Sequence, residues 1–124
     1  MTSPTLKFTH IGAVALAVND FERAIDFYTN TLSLPPAYEE GKRVGNQIGD
    51  TVLMFKTDWY AKPSDNLNPR LTLETENALD TEAALRAKDV VITDTVAPYG
   101  AFLVGGFLDS EGNKLWFCSK QPPA

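Results

Sequence analysis

Histidine and cysteine are almost missing from this chain, which holds one of each, His10 and Cys118, in 124 residues. A lone cysteine cannot form an internal disulfide, and beside Leu115, Trp116 and Phe117 it reads as a small core residue. A lone histidine with no serine, cysteine or acid in a matching pattern gives no nucleophile, base and orienter set, which argues against hydrolase chemistry. No apolar run approaches the roughly 18 residues of a membrane span. Met1-Thr2-Ser3-Pro4 has neither the charged nor the hydrophobic region of a signal peptide, so the expected location is cytoplasmic. Basic stripes are missing too. Lysine and arginine are scattered singly through a chain of net charge −5, and neither nucleic acid nor membrane is expected as a partner.

What is present suits a folded chain. Hydrophobic residues make up 44% and charged residues 22%, enough apolar surface to offset ordering entropy. Small and branched apolar residues from 11 to 18 predict a buried strand. Asn19-Asp20 ends it and can cap a helix whose stripe is Phe21, Ala24, Ile25 and Tyr28. Pro35-Pro36 forces extended chain, and strands are expected over 37–40, 43–48 and 51–56, divided by Gly41 and by Gly49-Asp50. The proline-, Asn- and Asp-rich stretch 58–69 has the composition of a linker.

A second pass of the same order follows. Residues 70–75 alternate, with Leu71 and Leu73 toward a core and Arg70, Thr72 and Glu74 on a wetter face. Asn77 can cap a helix over 78–88 with Ala78, Ala84 and Leu85 as its weak apolar stripe. Strands over 90–93, 101–108 and 114–118 complete the set, with 109–113 as the last turn. Gly49-Asp50-Thr51-Val52-Leu53-Met54 and Gly112-Asn113-Lys114-Leu115-Trp116-Phe117 match as turn and final strand. The chain thus divides into a module 1–57, a linker 58–69 and a module 70–124, each βαβββ. Each module alone is too small to bury much surface, so a single domain with one shared curved sheet is expected.

The run from Gly12 to Tyr28, with its Asn19-Asp20-Phe21 helix start and Phe27-Tyr28 pair, resembles the glyoxalase, bleomycin-resistance and extradiol-dioxygenase superfamily, also called vicinal oxygen chelate. So does Phe107-Leu108-Asp109-Ser110-Glu111-Gly112-Asn113, with Ser110 where the family's turn usually has proline. The resemblance covers nearly the whole chain. It implies an α+β fold of two βαβββ modules forming a curved mixed sheet around a cavity, and a homodimer. In metal-dependent members four strands supply the ligands; carried over one at a time, those positions fall on Ala13, Leu53, Arg70 and Trp116. A methyl, an isobutyl, a guanidinium and an indole are not metal donors. His10 lies three residues before Ala13, and alternation places it on the other face of the strand. No metal or other cofactor is expected.

If those positions face the cavity, Arg70 offers a bidentate partner for an anionic group and Trp116 a stacking face, with Ala13 and Leu53 making room. That set suits a flat, partly apolar ligand carrying a negative group, although a net charge of −5 favours cations at long range. Glu74 shares the face with Arg70 but lies about 13 Å along the strand, at roughly 3.3 Å per residue, so it reaches the rim at most. Tyr99 precedes a strand that lines the same side in relatives, Phe102 belongs to the wall or core, and Trp59 and Tyr60 either flank the mouth or bury at a dimer contact. Gly105-Gly106 marks a bulge or a close backbone approach. The function expected is small-molecule binding in a metal-free cavity, as in drug or metabolite sequestration of the bleomycin-resistance type. The alternative is a glyoxalase-like lyase or isomerase, or an extradiol-type dioxygenase, with or without a metal.

Overall fold

The computed structural model describes residues 6–58 and 61–121. The uninterrupted apolar run extends as β1 (Ala13–Ala17), and Asp20 caps α1 (Phe21–Asp26) by accepting from the Arg23 N–H at 3.0 Å. The helix then widens instead of stopping. Phe27–Thr31 is a π-helical segment, closed by the Leu32 N–H donating to the Phe27 carbonyl five residues back. β2 (Pro36–Glu39), β3 (Lys42–Ile48) and β4 (Thr51–Lys56) complete the first half. The second half repeats it as β5 (Thr72–Glu74), α2 (Ala78–Ala87, capped by Asn77), β6 (Ile92–Tyr99), β7 (Phe102–Leu108) and β8 (Lys114–Lys120). No helix among the described residues is long and apolar enough to cross a membrane.

The strands form two four-stranded mixed sheets, ordered β1-β4-β3-β2 and β5-β8-β7-β6, rather than one shared sheet. In each, the first and last strands of the half run parallel and the other neighbours antiparallel. What the halves share is a core. Leu16, Tyr28 and Phe55 from the first pack in one buried cluster with Leu85, Phe107 and Phe117 from the second. In α2 only Ala78 and Leu85 are buried; Ala84, expected on the apolar stripe, is exposed.

β6 is the element the sequence understates. It runs for 8 residues where only 90–93 reads as strand, because Thr93, Asp94, Thr95 and Pro98 carry turn composition. At a sheet edge, proline costs no ladder bond on the solvent side, and two register shifts absorb the polar residues. The shifts lie opposite Gly105 and Gly106, and the Val96 N–H at the second is satisfied by the Glu82 carboxylate of α2 at 2.6 Å.

The turn 109–113 ties the two halves together. Asp109 accepts at one carboxylate oxygen from the backbone N–H groups of Glu111 and Asn113, both at 2.8 Å, and at the other from the Tyr28 hydroxyl at 2.7 Å. Asn113, fully buried, donates to the Ala17 carbonyl at 2.9 Å and accepts from the Ser64 N–H at 2.9 Å. Glu111 receives the Asn19 and Asp20 N–H groups and the Arg23 guanidinium, the last at 2.6 Å.

These contacts move the two acids in opposite directions. Burial works to raise the Glu111 pKa, but the bonds from Arg23, Asp20, Asn19 and Ser110 outweigh it and bring it from 4.5 to about 2. Burial raises Asp109, against the bonds it accepts from Tyr28, Asn113 and Glu111. Glu111 therefore contributes stability that is full above its unfolded value of 4.5 and lost as pH falls toward about 2. Asp109 has the reverse sign, favouring the folded state when protonated and losing that as pH rises from 3.8 through its raised value. With Arg23 half exposed to solvent, the Glu111 contribution is of order 1–3 kcal/mol. Urea unfolding of wild type and Glu111→Gln should show a gap that shrinks between about pH 5 and pH 2.5; a gap constant over that range would refute the assignment.

Candidate functional site

Each sheet has a face turned to the shared core and a face turned away from it. In the first sheet Val14 pairs with Leu53 and Leu16 with Phe55 in the buried cluster, so alternation puts Ala13, Ala15, Val52 and Met54 on the outer face. Leu53 is a correction. It is 2% exposed and packs in the core, one residue out of step with the outer face, and a slip of one residue reverses every side chain of a strand. Ala13 does lie on the outer face, but in the first sheet, away from the residues discussed next.

In the second sheet the outer face is a hollow of about 490 Å³, within the range of small-molecule sites. Residues that pair across the sheet share a face: Thr72 with Trp116, Trp116 with Gly106, Val104 with Cys118. Arg70, just before β5, extends the same row, and the Tyr99 and Phe102 end of the β6–β7 hairpin forms the opposite wall. Four of the expected residues, Arg70, Trp116, Tyr99 and Phe102, therefore line one hollow, with Tyr99 78% exposed at its margin. Glu74 points to the same side but lines a separate shallow recess with Thr75, Glu76 and Lys120. Trp59 and Tyr60 lie outside the described residues.

Asp94 also lines the hollow, with Cys118, which reads as a core residue in the sequence, and Lys114 packs against Gly106 beside them. Asp94 reaches the hollow because the β6 bulges turn it inward, which composition does not reveal. Its carboxylate accepts from the Lys114 ammonium at 2.6 Å, and that bond holds its pKa below the ordinary value. The Lys114 ammonium also stands 4.0 Å from the Trp116 ring centroid, and the Arg70 guanidinium 4.7 Å from it. At least one face of the indole is thus taken by cations rather than open for stacking. Gly106 makes this possible, since a Cβ there would come within 2.9 Å of Thr93 Oγ1 and 3.0 Å of Lys114 Cε. Alternation along β7 and β8, at roughly 3.3 Å per residue, gives the hollow a charged end near Trp116 and an apolar end near Phe102.

The hollow does not fit a resident metal. Asp94 is already paired to Lys114, Cys118 is the only other conventional donor among the described residues of the wall, and Arg70 and Trp116 supply no usable lone pair. Among the described residues no three His, Cys, Asp or Glu side chains come together. The outer face of the first sheet is no better supplied, with Ala13, Ala15, Val52 and Met54.

Residues 10–117 match the family model of the glyoxalase/bleomycin resistance protein/dioxygenase superfamily. None of the curated proteins matches the chain in sequence. Among solved structures it is similar to TnmS3, an antibiotic binding protein from a Streptomyces species, with 22% identity and a TM-score of 0.77 over 94% of this chain and 100% of that one. A glyoxalase family protein from Bacillus anthracis gives 15% identity and a TM-score of 0.79 over 95% and 100% of the two chains. Lactoylglutathione lyase from Agrobacterium tumefaciens gives 16% and 0.70 over 90% and 93%. At such identities the likeness speaks for the fold alone. With βαβββ halves, parallel outer pairs and a family model spanning most of its length, the chain belongs to the glyoxalase/bleomycin resistance protein/dioxygenase superfamily.

Proposed function

We propose that this protein holds a small organic molecule in the hollow of its second sheet without a metal, sequestering a drug or metabolite. The observation that carries the proposal is the wall itself, where Arg70 and Trp116 stand beside a paired Asp94 and face an apolar end formed by Phe102 and Val104. Such a wall can bind and orient a ligand. It assembles no nucleophile with a base, so binding is favoured over catalysis. The antibiotic-binding relative, although distant, has the same fold put to that use.

A second copy of the chain completes the proposed arrangement. Among the described residues the eleven that line the hollow come from positions 70–118, and none from the first module covers it. The first module has its own outer face of Ala13, Ala15, Val52 and Met54, and the segment leading into β1 leaves Leu6 86%, Phe8 93% and Ile11 67% exposed. A homodimer that sets one module's open face against the other's would cover both.

Elemental analysis of protein purified without chelator should find far less than one divalent ion per chain. One tightly held ion per chain would overturn the proposal in favour of a lyase or dioxygenase. In a thermal-shift screen of aromatic metabolites, binders should lose their effect on Trp116→Ala while that variant stays folded; unchanged shifts would place the site elsewhere. Sedimentation at micromolar concentration should give a dimer, and a monomer would refute the pairing of open faces.

A further inference from the structure

Provided that the hollow of the second sheet is the binding site proposed above, we infer that it selects flat ligands bearing a single negative charge, of the aromatic monocarboxylate class, with the carboxylate at Arg70 and the ring toward Val104 and Phe102. Charge pairing in the wall is the first ground. The ion pairs among the described residues are Arg23–Glu111, Arg86–Glu82 and Lys114–Asp94, and Arg70 takes part in none of them. Two charged side chains line the hollow, Arg70 and Asp94, and the Asp94 charge is already met by Lys114 at 2.6 Å. Asp65 lines a separate recess of about 60 Å³ bordered by Arg70, Lys114 and Trp116, and forms no ion pair with either cation. Among the described residues Arg70 and Lys114 thus face the single carboxylate of Asp94, which leaves the hollow a net charge of one positive, carried by the guanidinium outside the ion pair.

The second ground is position. The Arg70 guanidinium lies 4.7 Å from the Trp116 ring centroid, so less side-chain freedom remains to be lost when an anion binds. A guanidinium takes a carboxylate with two parallel hydrogen bonds, which an amide or an ammonium cannot reproduce. From the row of Trp116 and Gly106 to Phe102 the β7 strand covers four residues, about 13 Å, which is room for a two-ring acid. The neutral hydroxyls of Thr72 and Thr95 add polar contacts without charge.

The overall charge of −5 does not reverse this preference. Charges farther apart than about 8 Å are largely screened at physiological salt, whereas a cation in contact is not. Bulk charge governs the approach of an anion, and Arg70 governs its retention.

Calorimetric titration of the full chain with 2-naphthoate, neutral 2-naphthamide and 2-naphthylmethylammonium tests the inference. Naphthoate should bind about tenfold or more tighter than naphthamide, and the ammonium weakest of the three. Arg70→Gln should bring the acid down to the affinity of the amide or below it, with an unchanged urea midpoint showing that the variant is folded. Lys114→Met, which releases Asp94, should weaken naphthoate and strengthen the ammonium. Equal or tighter binding of the amide or the ammonium by wild type would overturn the charge preference and leave small-molecule binding standing. No binding of any of the three at millimolar concentration would remove the hollow as a site, and the preference with it.

Discussion

Asn113→Ala is expected to lower stability by about 4 kcal/mol, a large share of the roughly 5–15 kcal/mol that holds a domain folded. The figure follows from the partners left behind. Asn113 has no exposed surface, and its side chain donates to the Ala17 carbonyl at 2.9 Å and to Asp109 at 3.2 Å while accepting from the Ser64 N–H at 2.9 Å. Alanine takes this partner from the Ala17 carbonyl and the Ser64 N–H and removes one of the bonds that Asp109 accepts, and an unmet buried group costs roughly 1–3 kcal/mol. Tyr28→Phe removes a single bond, to Asp109 at 2.7 Å, and should cost less, about 1–2 kcal/mol. Urea unfolding followed by tryptophan fluorescence ranks the two. A loss for Asn113→Ala within about 1 kcal/mol of wild type would mean that the turn does not join the halves.

Gly45→Ala should be as damaging for a different reason. A Cβ at Gly45 would sit 1.7 Å from the Leu53 carbonyl oxygen, 2.8 Å from its carbon and 3.1 Å from the Met54 Cα. All three are backbone atoms of the neighbouring strand, so no rotamer change relieves the contact, and β3 must separate from β4 where Gly45 pairs with Met54. The cost should exceed about 3 kcal/mol, with soluble yield falling accordingly. Gly12→Ala is the control, since nothing lies within 4 Å of its added methyl, and it should stay within about 0.5 kcal/mol of wild type. Equal behaviour of the two variants would refute the close approach of β3 and β4.

The order of elements was legible because the signals were local: Asp20 and Asn77 both cap helices, and Gly49-Asp50 and Gly112-Asn113 both open final strands. Leu53 was misread because facing depends on counting along a strand, and neighbouring residues there, Leu53 and Met54, are equally apolar. The site was half visible. Arg70 and Trp116 could be found by resemblance, but Asp94 enters only through bulges in an edge strand whose composition resembles a loop. Lys114 reads as an ordinary surface lysine until the absent side chain at Gly106 shows where its stem lies. The π-helical turn left no mark either, since a stripe of Phe21, Ala24, Ile25 and Tyr28 suits an ordinary helix as well. Thr29 makes sense of it only in three dimensions, where its hydroxyl accepts from Arg43 and Asn46 of β3.

The bonds that fasten the halves, through Tyr28, Asp109, Glu111 and Asn113, involve none of the residues lining the hollow. Replacing Arg70, Phe102 or Val104 would therefore alter chemistry at the surface while the fastening stayed whole. A lineage could exchange one cargo for another by point changes, without first acquiring spare stability to survive them.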